Sequence, residues 1–287
     1  MNFFATASVF LLFLSVALPV RANEEIEVDT AGCPVKSAQG DFSYDMTLPN
    51  NPTRWGDIKE DFATCKEGEK QSPINFPANV QYAPKSAGPK SQMSLANMTF
   101  GASSYNWAMS CSDESGSCGK TSFAGKTYEL INVHFHSPSE HKLFGKEYPL
   151  ECHMVHAAED GSLAVVGMMF EYAEQTSYPA RIYQNVVEEY GDNVVFSTIL
   201  GGVKSDRGEW AVPVGQLVNH NKGYCSYSGS LTTPPCTESV TWFMSMNIWT
   251  VSERQVHDYV RTVGTSIEGN HRPVQPLNER PVTCYVS

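Results

Sequence analysis

Positive charge is in short supply. The 287-residue chain carries 20 Lys+Arg against 31 Asp+Glu, a formal net charge of −11. Without a basic patch it has no means of neutralising phosphates, so nucleic acid is not an expected partner, and anionic membrane surfaces are disfavoured for the same reason. Glycine (21) and proline (17) stay near average usage, which excludes collagen-like and linker-like composition. No fixed-period repeat is present, so a solenoid or propeller is excluded. Past the N-terminus no apolar run approaches the length of a membrane span. No break in composition divides residues 41–287, which read as one domain.

What the chain does have is core-forming material: 41% hydrophobic residues, with 14 Phe, 13 Tyr and 5 Trp, enough to exclude a wholly disordered chain. Its one long apolar run, Phe3 to Val20, contains a late helix breaker, Pro19, and leads into Val20-Arg21-Ala22, with small residues at the cleavage-determining positions. Residues 1–22 therefore read as a secretory signal peptide, although Met1 and Asn2 bring no basic charge. An uncleaved anchor is the competing reading, since a run of this length nearly spans a bilayer. The proline and the small-residue site favour cleavage, which leaves no stable membrane span. Residues 23–40, acidic and then small and polar, read as a mobile leader.

All eight cysteines follow the signal, at 33, 65, 111, 118, 152, 225, 236 and 284. An even count behind a signal favours disulfides and a compartment outside the cytosol, whether secreted, periplasmic-type or cell-surface. Cys111 and Cys118 flank a turn-forming Ser-Asp-Glu-Ser-Gly-Ser run that brings them together, so a local bridge is expected. Asn97-Met98-Thr99 is a glycosylation sequon; Asn51-Pro52-Thr53 is disqualified by its proline.

Two helices are legible. Ala180 to Tyr190 puts Ile182, Val186, Val187 and Tyr190 on one face, ending at Gly191. Ser252 and Gln255 form a capping box before Val256, Tyr259, Val260 and Val263, ending at Gly264. The remaining apolar runs, 127–136, 150–157, 163–170, 225–231 and 239–247, are short and rich in β-branched or aromatic residues. The stretch 83–90, APKSAGPK, reads as a loop. The fold class is mainly β with peripheral helices.

The informative stretch is Leu130 to His156, LINVHFHSPSEHKLFGKEYPLECHMVH. His134 and His136 are two apart, so on a strand both imidazoles share a face with Asn132, while Val133 and Phe135 face the other way. On the strand after the 137–149 loop, Glu151 and His153 share a face opposite Cys152 and Met154. If these strands pair antiparallel, three imidazoles converge. A single strand histidine is more often a hydrogen-bonded core residue than a ligand, but this triple coincidence favours metal binding. Three histidines leave one tetrahedral position of Zn²⁺ for water, the arrangement of a catalytic site. Imidazole also suits copper, iron and nickel, so ligand type alone does not choose the metal. His141 and His156 are out of phase and read as structural. Ser230-Leu231-Thr232-Thr233-Pro234-Pro235 reads, by itself, only as a rigid polar loop.

Together with Gln71-Ser72-Pro73, Ser139-Glu140-His141, Glu151 to His156, Leu163-Ala164-Val165, Val240-Thr241-Trp242 and Arg272 to Leu277, these motifs give the chain a resemblance to the α-class carbonic anhydrases, of the secreted type. The matches run from about Phe42 to the C-terminus, in the family's order. The resemblance implies a single domain around a large, mostly antiparallel twisted sheet. It implies zinc-dependent, reversible hydration of CO2 to bicarbonate and a proton by a zinc-bound hydroxide, with a side esterase activity. That zinc brings its bound water's pKa to near neutrality is known from this family itself and does not come from these residues.

The resemblance also assigns roles. His134, His136 and His153 correspond to the zinc ligands. Thr232 corresponds to the residue that accepts a hydrogen bond from the attacking oxygen, and Glu140 to the buried carboxylate that takes the Thr232 proton. Thr233 lies beside them, toward bicarbonate or solvent. Glu151 corresponds to the carboxylate behind His153, and Asn270 offers its carbonyl to His136. Asn132 stands where the family commonly has the longer Gln, and so reaches less far toward His134. Val155, Val165, Leu231, Val240 and Trp242 correspond to the apolar wall that receives CO2. Cys65 and Cys236 match the disulfide of secreted members. Cys33, Cys152, Cys225 and Cys284 stay unassigned, which leaves room for a disulfide-linked homo-oligomer.

Two other functions compete: a binding or storage protein on the same fold, against which the intact residue set argues, and a zinc hydrolase of small esters, which needs a larger pocket. One departure matters for rate. Fast members move the proton out through a rim histidine, whereas residues 103–109, SSYNWAM, offer only Tyr105. With an unperturbed pKa near 10, tyrosine is a poor relay at neutral pH. Proton release is therefore expected to limit the maximal rate. Imidazole buffers should raise kcat and leave kcat/KM unchanged in a stopped-flow hydration assay; a kcat already high in dilute buffer and indifferent to imidazole would contradict this.

Overall fold

Short runs of β-branched and aromatic residues make strands of most of the chain. The computed structural model describes residues 41–93, 95–102, 106–111, 118–173, 203–204, 209–213, 222–263 and 269–286, all within the compact unit Ala38–Ser287. Its strands are β1 (Asn75–Phe76), β2 (Gln81–Pro84), β3 (Lys90–Met93), β4 (Leu95–Ala102), β5 (Trp107–Cys111), β6 (Gly119–Phe123), β7 (Lys126–His136), β8 (Lys142–Leu143), β9 (Leu150–Ala157), β10 (Leu163–Tyr172), β11 (Val203–Lys204), β12 (Glu209–Pro213), β13 (Tyr224–Ser230), β14 (Glu238–Val251) and β15 (Thr283–Val286). Among the described residues the α-helices are α1 (Thr64–Glu67) and α2 (Glu253–Val263). The signal, the leader and the expected helix over Ala180–Tyr190 lie outside the described residues.

One large mixed sheet runs β11-β12-β4-β5-β7-β9-β10-β14-β13-β15-β2, with β6 joining β3 to β7. Pairing is antiparallel except at β10–β14 and β15–β2. The central strand β10, LAVVGMMFEY, is buried over nearly its whole length. Unbroken apolar sequence is what a strand covered on both faces requires. Ala164, Val166 and Met168 enter one core layer with Val133, Phe135, Cys152 and Met154. Val165 and Met169 enter the other, with Val240, Trp242 and Met244. The stretch 83–90 is less loop-like than its composition suggests: Pro84 ends β2, and Lys90 begins β3. β2 lies at the sheet edge, where a proline removes no ladder bond.

The capping box forms as its spacing predicts. Gln255 N donates to Ser252 Oγ at 3.2 Å, and Ser252 N donates to Gln255 Oε1 at 2.9 Å. Val256, Tyr259 and Val263 then turn a buried face onto the first core layer. Among the described residues, no helix is long and apolar enough to cross a membrane.

His156 is fully buried in this fold. Its Nδ1 donates to the Met154 carbonyl at 2.8 Å, and its Nε2 lies 3.2 Å from Thr121 Oγ1. Burial pushes its pKa down to about 4, against the carbonyls of Met154 and Ala164 that favour the charged ring. Because the folded value lies below the unfolded one near 6.5, the unfolded chain takes up the proton first as pH falls. The stabilisation is complete above about 6.5 and is lost progressively toward 4, up to about 3 kcal/mol. Urea unfolding of wild type and His156→Gln at pH 7 and pH 4.5 should show a smaller acid-induced loss in the variant. Equal losses in both would contradict the assignment.

Candidate metal centre

A one-residue slip in β7 sets up the site. Tyr128 and Leu130 are buried in the first core layer, yet so are Val133 and Phe135, a change from even to odd positions. The register against β9 shifts between Leu130 and Asn132, and Ile131 is left 43% exposed at the bulge. Beyond it, Asn132, His134 and His136 turn to the opposite face. β9 continues antiparallel with His134 opposite His153 and His136 opposite Glu151. One nitrogen from each of His134, His136 and His153 lies within 4.8 Å of the other two. The ring centroids are 4.6–5.2 Å apart.

Hydrogen bonds decide which nitrogen each ring presents. His134 Nδ1 donates to Asn132 Oδ1 at 2.6 Å, and His136 Nδ1 to the Asn270 carbonyl at 2.7 Å. His153 Nε2 donates to Glu151 Oε1 at 2.7 Å. These bonds leave His134 Nε2, His136 Nε2 and His153 Nδ1 as acceptors. Asn132, expected to reach less far than a glutamine, reaches fully: its own strand face brings the amide to the ring. Burial pushes His136 down to about 4 and holds His134 and His153 below the ordinary imidazole value, with the neighbouring imidazoles adding to the effect at His134. At neutral pH all three are uncharged, the form that binds a metal. His136 Nε2 is buried with no hydrogen-bond partner. An orphaned acceptor facing two others is a poor arrangement for a core and a suitable one for a cation of borderline softness.

Two structures support this triad. Behind His153, Glu151 Oε1 also accepts from His141 Nδ1 at 2.7 Å, and Glu151 Oε2 from the His141 amide at 2.8 Å. Burial alone would raise the Glu151 pKa, but His141 and His153 together outweigh it and hold the carboxylate ionised. His141 Nε2 in turn accepts from Tyr227 at 2.6 Å, and Tyr227 meets Ser72 Oγ at 2.7 Å. Tyr227 appeared in no motif, and His141 read only as structural. Their signal is aromatic and polar residues in a buried strand, which does not by itself say where the polar end goes. The same packing requires Gly229, where an added Cβ would stand 2.2 Å from Ser72 Oγ.

Above the triad sits Glu140, 1% exposed. Its Oε1 accepts from the Arg272 amide at 2.9 Å, and Oε2 lies 3.5 Å from His136 Nε2. Burial raises its pKa, while His153, the Thr232 hydroxyl and the Arg272 N–H nearby act to lower it. Thr232 is buried and Thr233 half-buried on the turn after β13. Val165, Val240 and Trp242 form an apolar wall, with Val155 and Leu231 packed against it. The Trp242 ring stands 4.8 Å from His153.

Disulfides bracket this loop. Cys65–Cys236 ties the turn to the N-terminal aromatic cluster of Tyr44, Trp55 and Phe62. Its 171-residue span is worth about 5 kcal/mol in a chain-entropy account. Cys111 and Cys118, expected to pair across their short intervening run, are bridged. Cys225 and Cys284, which the sequence left open to an intermolecular role, are bridged within the chain. They stand directly opposite in β13 and β15, with Cα atoms 3.9 Å apart. Cys152 is a buried free thiol. Cys33 and Tyr105 lie outside the described residues, and Asn97 lies in β4 opposite Ala211 of β12.

The sequence profile of eukaryotic-type carbonic anhydrases matches residues 50–286, so the chain belongs to that family. It is 31% identical over 278 residues to α-carbonic anhydrase 5 of Arabidopsis thaliana, covering 96% of this chain and 94% of that protein. Among solved structures, dioscorin complexed with ascorbate superposes with a TM-score of 0.72 at 29% identity, covering 86% of this chain and 98% of the other. The α-carbonic anhydrase of Thermovibrio ammonificans, solved with the inhibitor sulfanilamide, gives 0.69 at 26% identity, covering 86% and 100%.

Proposed function

We propose that this chain is a zinc enzyme that hydrates CO2 reversibly to bicarbonate and a proton. The observation that carries the reading is the convergence of three buried, neutral imidazoles whose outer nitrogens are all committed to fixed acceptors. His134, His136 and His153 would hold the ion. Zinc, when bound, supplies a Lewis acid that makes water nucleophilic at neutral pH.

The other residues supply orientation. The wall of Val155, Val165, Leu231, Val240 and Trp242 offers a linear, uncharged molecule no polar competitor. In this reading the Thr232 hydroxyl donates a hydrogen bond to Glu140, which leaves the threonine oxygen as an acceptor toward the triad. A water O–H donated to that acceptor turns an oxygen lone pair toward the substrate carbon. Thr233 lies beside Thr232, toward bicarbonate or solvent, and Tyr105 stands in sequence where the family's proton relay would be.

Three disulfides suit an oxidising compartment. With the signal over 1–22, the leader over 23–40 and a glycan at Asn97, we place the enzyme in the secretory route or beyond it. A disulfide-linked homo-oligomer would run through Cys33, since Cys152 is buried and Cys225 is already paired with Cys284.

Metal analysis of the purified protein should give about one zinc per chain; full zinc retention by His136→Ala would sink the ligand assignment. Thr232→Ala should keep its zinc and lose roughly 10²-fold in turnover, about the cost of one orienting hydrogen bond at a reacting centre. Glu140→Gln should also slow turnover, because its amide can donate back to the threonine. Since the two act as a unit, the double variant should be little worse than the worse single one. Multiplicative losses in a CO2 hydration assay would contradict that coupling.

A further inference from the structure

The back of the histidine site is closed by a side chain from outside the sheet. Tyr259 of α2 is 1% exposed, and its ring meets Phe135 edge-on at 6.1 Å. Phe135 is the residue between His134 and His136. β5 pairs with β7 up to Ala108 opposite His134. Tyr259 donates its phenol proton to the Phe135 carbonyl at 2.5 Å, and Asn270 Nδ2 donates to the same oxygen at 3.0 Å. Asn270 Nδ2 also reaches the phenol oxygen at 3.0 Å, and Asn270 Oδ1 accepts from Ser137 N at 2.9 Å. The main-chain carbonyl of this tethered Asn270 is the one that accepts from His136. Asn106 Oδ1, 3.2 Å from the phenol oxygen, closes the cage.

We propose that Tyr259 is a positioning residue of the histidine site. Its hydroxyl, with the Asn270 amide, fixes the backbone between the two β7 imidazoles and holds in place the carbonyl that orients His136. The inference rests on His134, His136 and His153 being metal ligands. A phenylalanine would fill nearly the same volume against Phe135, so packing does not account for the hydroxyl. Groups that fix a ligand's ring orientation are part of a metal site's affinity. Here that control passes from a helix, through one phenol, to a strand.

Tyr259→Phe isolates the hydroxyl. Phe135 keeps its bond from Asn270, so no buried carbonyl is orphaned and the fold is retained. Zinc affinity, measured by competition with a chelator, should weaken about tenfold. The His136 Nδ1 proton in proton–nitrogen NMR should shift and exchange faster with water. Tyr128→Phe, at a buried tyrosine elsewhere in the core, should leave both readouts at their wild-type values. Unchanged zinc affinity and an unchanged His136 signal in Tyr259→Phe would overturn the proposal whatever its melting temperature, because the hydroxyl would then only satisfy a carbonyl. Should the wild-type protein take up no zinc, the metal reading fails separately, and the His136 proton signal of the metal-free protein decides the positioning role alone.

Discussion

Each histidine buried in a sheet brings two nitrogens out of water, and both need partners. Placing His134 opposite His153 across β7 and β9, with His136 beside them, leaves room for only one hydrogen-bond partner per ring on the outer side. Asn132, the Asn270 carbonyl and Glu151 take those places. The inner nitrogens are left to face each other, a repulsive arrangement of lone pairs that a cation relieves. The surrounding polar architecture follows from keeping this arrangement in place. Glu151 needs His141, His141 needs Tyr227, and Tyr227 needs Ser72. On the other side, Asn270 is held through both ends of its amide. Partly satisfied buried polar networks are costly, and outside the inner nitrogens these two chains of bonds meet that cost by pairing member to member.

The sheet around it is built from burial alone. β10 is apolar on both faces because β9 and β14 flank it and a core layer covers each side. The two layers have different tasks. One is ordinary packing beneath α2; the other doubles as the apolar wall beside the histidines. A polar group at Val165 or Trp242 would break the packing of this layer, which reaches His153 through the Trp242 ring. The Thr232 turn is held from both sides, by Cys225–Cys284 seven residues before it and Cys65–Cys236 four residues after. Thr232 is thus carried on a segment with little freedom to move.

Much of this was legible in the residues. The His-x-His pair, the Glu-x-His on the next apolar run and the Ser252–Gln255 capping box each follow local rules of period or spacing, and the strands formed close to where alternation put them. The bulge at Ile131 was not legible, because alternation over Tyr128–Leu130 and over Val133–Phe135 is regular on each side and only the phase changes between them. The Cys225–Cys284 bridge was not legible either. It depends on β15 pairing with β13, a contact between distant segments that no local pattern encodes. Tyr259 and Tyr227 were visible as core aromatics, but the destination of a hydroxyl is set by tertiary packing. The Asn132 amide was judged by its length, when strand geometry had already brought it to the ring.

The order of strands has a consequence for how the chain is made. β2 belongs to the sheet only through β15, and its hydrogen bond from Gln81 N goes to the Val282 carbonyl. About two hundred residues are synthesised between these partners, which at about 5–20 residues per second takes on the order of 10–40 s. Throughout that interval β2 is an unpaired edge beside a growing sheet, and for most of it Cys65 is a thiol without its mate. A chain delivered into an oxidising compartment during synthesis therefore meets oxidant before its native pairings exist. The first cysteine pair it can close correctly is the local one, Cys111–Cys118. Cys65 can close only once Cys236 has followed, and Cys225 only once β15 has.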